Sequence, residues 1–176
     1  RSSSAATTTG LLPAVNPSNP VNGLDYSYYE ASSYSVLPDF TATTPVKTGT
    51  AGTFDISVAN RSYSYSINYS GYINVPSDGQ YTFYTTSDDG SKLYIDNVPV
   101  VDNDGVHSSV EQSGTIGLKA GKHAITVGYF QQGGGSVLSV SYEGPGVSKQ
   151  VIPASSLYRS SSAATTTGLL PAVNPS

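Results

Sequence analysis

Two adjacent carboxylates, Asp88 and Asp89, stand before Gly90 between two apolar-alternating runs, residues 80–86 and 92–95. Paired carboxylates at a chain turn suit three ends: a solvated acidic turn, a cation site, or the acid–base pair of a glycoside hydrolase. On its own, Asp-Asp-Gly reads as the first of these. A second polar stretch, Gln131-Gln132-Gly133-Gly134-Gly135, reads on its own as a loose loop. Asp102-Asn103-Asp104-Gly105 resembles the opening of an EF-hand loop but lacks the downstream spacing and glutamate. It is read as loop chemistry, with Asp104 as a rim contact. His107 and His123 are isolated, have no metal-ligand spacing, and are expected at the surface. Glu30, Glu111 and Glu143 form no visible cluster, and no G-x-S-x-G nucleophile elbow is present, so the chain is expected not to be an enzyme.

The composition narrows the partners. Among 176 residues there is no Cys, Met or Trp, but there are 14 Tyr, 18 Gly and 11 Pro. Charged residues make up only 11%, and the net charge is −4 with the basic residues thinly spread. No basic stripe exists to bind nucleic acid, and no apolar run approaches the ~18 residues needed for a membrane span. The absence of Cys removes disulfides and thiolate metal sites. Low charge with long Ser/Thr runs fits a secreted or surface protein. With no initiating Met and no signal peptide, the chain reads as a fragment of a longer one.

The elements that must position these residues read as strands. Residues 23–30 alternate apolar and polar; Tyr63, Tyr65, Ile67 and Tyr69 recur at period two; Tyr72, Ile73 and Val75 continue that run. Further strands are predicted over 80–86, 92–95, 98–101, 115–118, 123–130 and 137–142, with a short one at Phe54 and Ile56. Asp96-Asn97 suits a tight hairpin, and residues 31–53 read as loop. Many short strands with no helical period predict an all-β sandwich or barrel.

The chain ends repeat. Residues 1–18 and 159–176 both read RSSSAATTTGLLPAVNPS. The expected organisation is a Ser/Thr/Pro-rich linker over 1–21, one domain over 22–158, and the linker of a following repeat over 159–176. Leu11, Leu12 and Val15 are too apolar for a pure spacer and are expected to dock on the domain.

Several segments in order carry a family resemblance. Tyr81-Thr82-Phe83 leads to Ser87-Asp88-Asp89-Gly90-Ser91-Lys92-Leu93-Tyr94-Ile95-Asp96, then Val101-Asp102-Asn103. Leu118-Lys119-Ala120-Gly121-Lys122-His123 follows, then Tyr129-Phe130 and the triple glycine. With residues 23–30 as the opening segment, this resembles the PA14 domain over roughly residues 22–158. The resemblance implies a β-sandwich with jelly-roll-like topology. It also implies a calcium-dependent lectin site, in which a cis-linked Asp-Asp pair and a later loop hold the ion.

Asp88 and Asp89 match that pair, and residues 131–135 occupy the place of the loop. Neighbouring side chains on an extended strand point to opposite faces; a cis link turns both carboxylates the same way. Calcium takes about 6–8 oxygens, which the pair, Gln131 or Gln132, and carbonyls of Gly133 and Gly134 would begin to supply. Glutamine stands where some lectin members carry Asn or Asp. Gln131 and Gln132 point to opposite sides of an extended backbone, so one of them is expected to ligate.

The resulting expectation is a calcium-dependent carbohydrate-binding module, extracellular, repeated in tandem, with glycan and neighbouring repeats as partners. Its sugar-binding residues would be Asp88, Asp89, Gln131, Gln132, Gly134 and Asp104. The alternative is a structural spacer repeat with at most a structural ion. A protein-binding or processing module of the toxin type stands as a third class.

Overall fold

In the computed structural model, which describes residues 10–161, the period-two runs become strands. In chain order these are Pro20–Asn22 (β1), Leu24–Glu30 (β2), Lys47–Ala51 (β3), Tyr65–Val75 (β4), Gly79–Asp88 (β5) and Ser91–Ile95 (β6). Then come Val98–Asn103 (β7), Val110–Leu118 (β8), Gly121–Gln131 (β9), Val137–Gly144 (β10), Val147–Val151 (β11) and Leu157–Ser160 (β12). One sheet runs β11-β10-β5-β8. The other runs β1-β12-β4-β9-β6-β7, with β2 on the same edge of β4 as β12 and β3 outside β2. Every pairing between these strands is antiparallel. The chain is the all-β sandwich that its sequence predicts.

Alternation decides which side chains fill the space between the sheets. From β5 these are Tyr81 and Phe83; from β4, Ile67, Tyr69 and Ile73; from β9, Ile125, Val127 and Tyr129. Toward one end the inward positions of β5 turn polar: Thr85 and Ser87 are buried there, with Ser91 of β6 and Asn103 of β7. That end is where the chain crosses between the sheets three times, from β5 to β6, from β7 to β8 and from β9 to β10.

Local hydrogen bonding corrects several sequence expectations. The residues around Phe54 and Ile56 form a 3-10 turn over Ile56–Val58, not a strand, because the Asp55 carboxylate accepts the Ser57 N–H at 2.8 Å. Asp39 does the same for Thr41 at Phe40–Ala42. Such side-chain bonds compete directly with ladder pairing. Within the stretch read as loop, residues 47–51 pair with β2 as an edge strand. Ser64, at φ +52°, separates the exposed Tyr63 from β4. The hairpin at Asp96-Asn97 is present, with φ positive at both residues, as a two-residue turn of this hand requires. His123 is fully buried, not exposed: its ring contacts Asp96 Oδ2 and the Lys119 carbonyl, each at 2.7 Å.

The segment before β1 lies against the domain. The Leu12 N–H donates to Gly117 O at 3.0 Å, the Lys119 N–H to Leu12 O at 2.9 Å, and the Val15 N–H to Lys122 O at 2.9 Å. Leu12 packs on the core. At the other end, Arg159 and Ser160 lie in β12, opposite Val21 and Pro20. Arg159 Nε donates to Asp25 Oδ1 at 2.8 Å. The rest of the two identical ends, residues 1–9 and 162–176, lies outside the described residues.

Candidate functional site

Asp88 ends β5 and pairs across the sheet with Val137, the first residue of β10. The Asp88–Asp89 peptide is cis. The bend carries the chain from the four-stranded sheet into β6 of the other, so this tip is an inter-sheet crossover and not a hairpin.

The two carboxylates have different surroundings. Asp89 is buried and accepts the backbone N–H of Gln132 on Oδ2 at 2.7 Å and that of His107 on Oδ1 at 3.2 Å. It thereby ties the β9–β10 and β7–β8 crossovers to its own. The half-buried Asp88 carboxylate receives no hydrogen bond from any described residue. Its Oδ2 faces Gly135, where a Cβ would stand 3.3 Å away. Burial, and then the neighbouring Asp89 charge, hold its pKa above the ordinary aspartate value, and His107 partly offsets this. The Asp88 carbonyl accepts the Tyr129 hydroxyl at 2.7 Å, which fixes the end of β5 to β9.

The glutamines divide as their opposite facing requires. Gln131 is fully buried; its Nε2 donates to Gly134 O at 3.0 Å and Ser62 O at 3.3 Å. Its Oε1 is a buried acceptor with no donor among the described residues. The Gln132 side chain turns to the segment after β2, where Oε1 accepts the Tyr34 N–H at 2.6 Å. At the Asp pair, Gln132 is represented by its backbone N–H. Gly133 and Gly134 are exposed, and Gly134 takes φ +75°. Asp104 spends Oδ1 on the N–H groups of Leu37 at 2.9 Å and Gly105 at 2.8 Å, with Lys92 Nζ 3.9 Å from Oδ2. Gly90 is pressed against it: a Cβ there would stand 2.9 Å from Asp104 Oδ1.

His107 belongs to this site, and reading it as an isolated surface residue is corrected. Its ring nitrogens contact the carbonyls of Ser108 at 2.7 Å and Asn103 at 2.8 Å. Carbonyls only accept, so both contacts are satisfied together by the imidazolium. Burial opposes that charge, but the two carbonyls, Asp89 and Asp88 outweigh it, and the His107 pKa is raised. No spacing in the sequence signals this, because the histidine reaches Asp89 through its backbone N–H.

Beneath the crossovers lies a buried polar cluster. Asn103 Nδ2 donates to Val110 O at 2.9 Å, Thr85 O at 3.1 Å and Ser87 Oγ at 3.2 Å. Ser91 Oγ lies 2.7 Å from Ser87 Oγ and donates to Thr85 Oγ1 at 2.9 Å. The ends of β5 and β7 and the starts of β6 and β8 are thus fixed to one another next to the Asp pair.

An acceptor-only carboxylate without a donor, raised in energy by a like charge, fits a hard divalent cation. So does the donor-less Gln131 oxygen next to the glycine loop. No group of three or more His, Cys, Asp or Glu side chains gathers as a metal site among the described residues, so the remaining oxygens would come from carbonyls, amides and ligand. No helix among the described residues is long and apolar enough to cross a membrane.

Known proteins share this architecture. The anti-sigma-I factor RsgI3 of Acetivibrio thermocellus is 34% identical over 110 residues, which is 62% of this chain and 17% of that protein. The chain therefore corresponds to a small part of that relative. The PA14 domain of the antifreeze protein MpAFP superposes with a TM-score of 0.66 at 22% identity, over 83% of this chain and 95% of that one. The PA14 sugar-binding domain of an RTX adhesin gives 0.65 at 17% identity, over 79% and 99%. At these identities the two structures speak to the fold. The family model for the PA14 domain matches residues 20–156, and the chain belongs to the PA14 domain family.

Proposed function

We propose that this domain binds carbohydrate through a calcium ion held by Asp88 and Asp89, as an extracellular, non-enzymatic recognition module. The observation that carries this reading is the Asp88 carboxylate, which lacks a donor and sits beside Asp89 and the glycine loop. The ion would neutralise the pair and present open coordination positions to vicinal sugar hydroxyls. Asp89 orients the two flanking crossovers through the His107 and Gln132 N–H groups. Gln131 holds the Gly134 carbonyl and so shapes the loop. That a domain of the same fold in an RTX adhesin binds sugar supports the reading.

One observation favours a second reading. Asp89 accepts two backbone N–H groups from flanking crossovers, a structural role that a spacer would also use. Glycan-array binding with and without calcium separates the two. We expect calcium-dependent binding to at least one glycan class, lost with the ion in Asp88→Ala. A folded protein that binds no glycan in calcium would leave the spacer reading standing.

A further inference from the structure

The segment that precedes β1 sits in a trough cut for it. A Cβ at Gly117 would stand 2.7 Å from Leu11 Cδ2 and 2.8 Å from Gln80 Nε2. A Cβ at Gly121, where φ is +124°, would stand 2.7 Å from the Ala14 methyl. Side chains at these positions would fill the space that Leu11 and Ala14 use. Three main-chain hydrogen bonds fix the register, and they run from Leu12 to Gly117 and Lys119, and from Val15 to Lys122. The trough between the end of β8 and the start of β9 therefore recognises Gly-Leu-Leu-Pro-Ala-Val by shape and by backbone pairing.

The same six letters recur at residues 168–173, within the 18-residue identity. At the start of that second copy, Arg159 and Ser160 are already part of β12, and the Ser161 N–H donates to Asn19 O at 3.2 Å. We propose that the repeated segment is a clip between two domains. Its first three residues close the sheet of one domain, and residues 168–173 seat in the β8–β9 trough of a second copy of this domain. Six residues, 162–167, then separate the two attachments. At about 3.3–3.6 Å per residue they reach roughly 20–25 Å at most. Copies joined by this clip are held nearly in contact, not strung on a long flexible spacer.

The Lys119 amide reports seating, because it donates to the Leu12 carbonyl. An isotope-labelled variant carrying L11D, L12D, L169D and L170D has an open trough and no competent segment. Its Lys119 amide exchanges fast while the β9 amides stay slow. Adding unlabelled wild-type protein, which has its own trough filled and residues 168–173 to offer, is expected to slow Lys119 exchange by about tenfold or more at millimolar concentration. Adding the L169D/L170D protein is expected to leave it fast. Absence of slowing with wild type, or equal slowing with L169D/L170D, overturns the proposal. If the fourfold variant loses its β9 protection, the L12S/L170S pair serves as the open-trough chain for the same titration.

Discussion

The Asp89 carboxylate accepts N–H groups from His107 and Gln132, and each of these belongs to a different crossover. Hydrogen bonds to a charged acceptor contribute about 1.5–3 kcal/mol each, and a buried N–H left facing an amide NH2 costs about 1–3 kcal/mol. Asp89→Asn in chelator is therefore expected to lower unfolding stability by about 1–3 kcal/mol. Asp88→Asn removes a like charge and breaks no hydrogen bond of the side chain. It is expected to fall within about 0.5 kcal/mol of wild type, or above it. Urea unfolding of both variants decides this; equal losses would mean that the two carboxylates share one structural role. The acidic pair was legible in the sequence because its side chains carry the signal. The parts played by Gln132 and His107 were not, because a backbone N–H is the same whatever residue bears it.

At the scale of elements, the candidate site is the place where three inter-sheet crossovers meet, and Asn103 pins two of them, β5–β6 and β7–β8. Its amide reaches Thr85 and Ser87 on β5 and Val110 at the start of β8, from a position on β7. Asn103→Leu keeps the volume but leaves several buried polar groups without partners, at about 1–3 kcal/mol each. We expect at least about 2 kcal/mol of destabilisation, with weaker calcium binding by calorimetry even where the protein stays folded. Unchanged stability and calcium affinity would show that the crossovers hold without the cluster. Periodicity made the long strands legible, since β4, β5 and β9 bury alternate apolar residues. It failed on β1 and β3, whose residues Pro-Val-Asn and Lys-Thr-Gly-Thr-Ala show no buried face. It also placed the start of β8 at residue 115, because the strand's first residues, from Val110, are exposed and carry no alternation. These strands exist through pairing with neighbours distant in sequence, which a local window does not contain.

For the whole molecule, the sandwich is filled with tyrosine in a chain that lacks Trp, Met and Cys. The buried hydroxyls find acceptors: Tyr28 donates to Glu30 Oε2, Tyr69 to Asp55 O and Tyr129 to Asp88 O, at 2.7–2.8 Å. Burial, then the bond to Glu30, push the Tyr28 pKa from 10.0 up to about 12. Burial first, with nearby tyrosines and carboxylates adding to it, drives those of Tyr69 and Tyr129 higher still. A folded pKa raised above the unfolded value gives stability that is complete below the unfolded pKa and is lost as pH rises toward the folded one. For Tyr28 that window opens near pH 10 and closes near 12. The unfolded chain can ionise these phenols where the folded one cannot, so base pulls the sandwich apart. The buried tyrosines are therefore expected to ionise together with loss of the sheets, in one cooperative transition above about pH 10. Phenolate absorbance and far-ultraviolet circular dichroism recorded on the same titration test this. Tyr28→Phe should make the loss of stability between about pH 10 and 12 less steep, since it removes one phenol that in that window ionises more readily in the unfolded chain. Ionisation of all 14 tyrosines with the sheets intact would mean that water reaches the interior, and that the tyrosine-filled core is not the sealed layer on which the crossovers and their carboxylates stand.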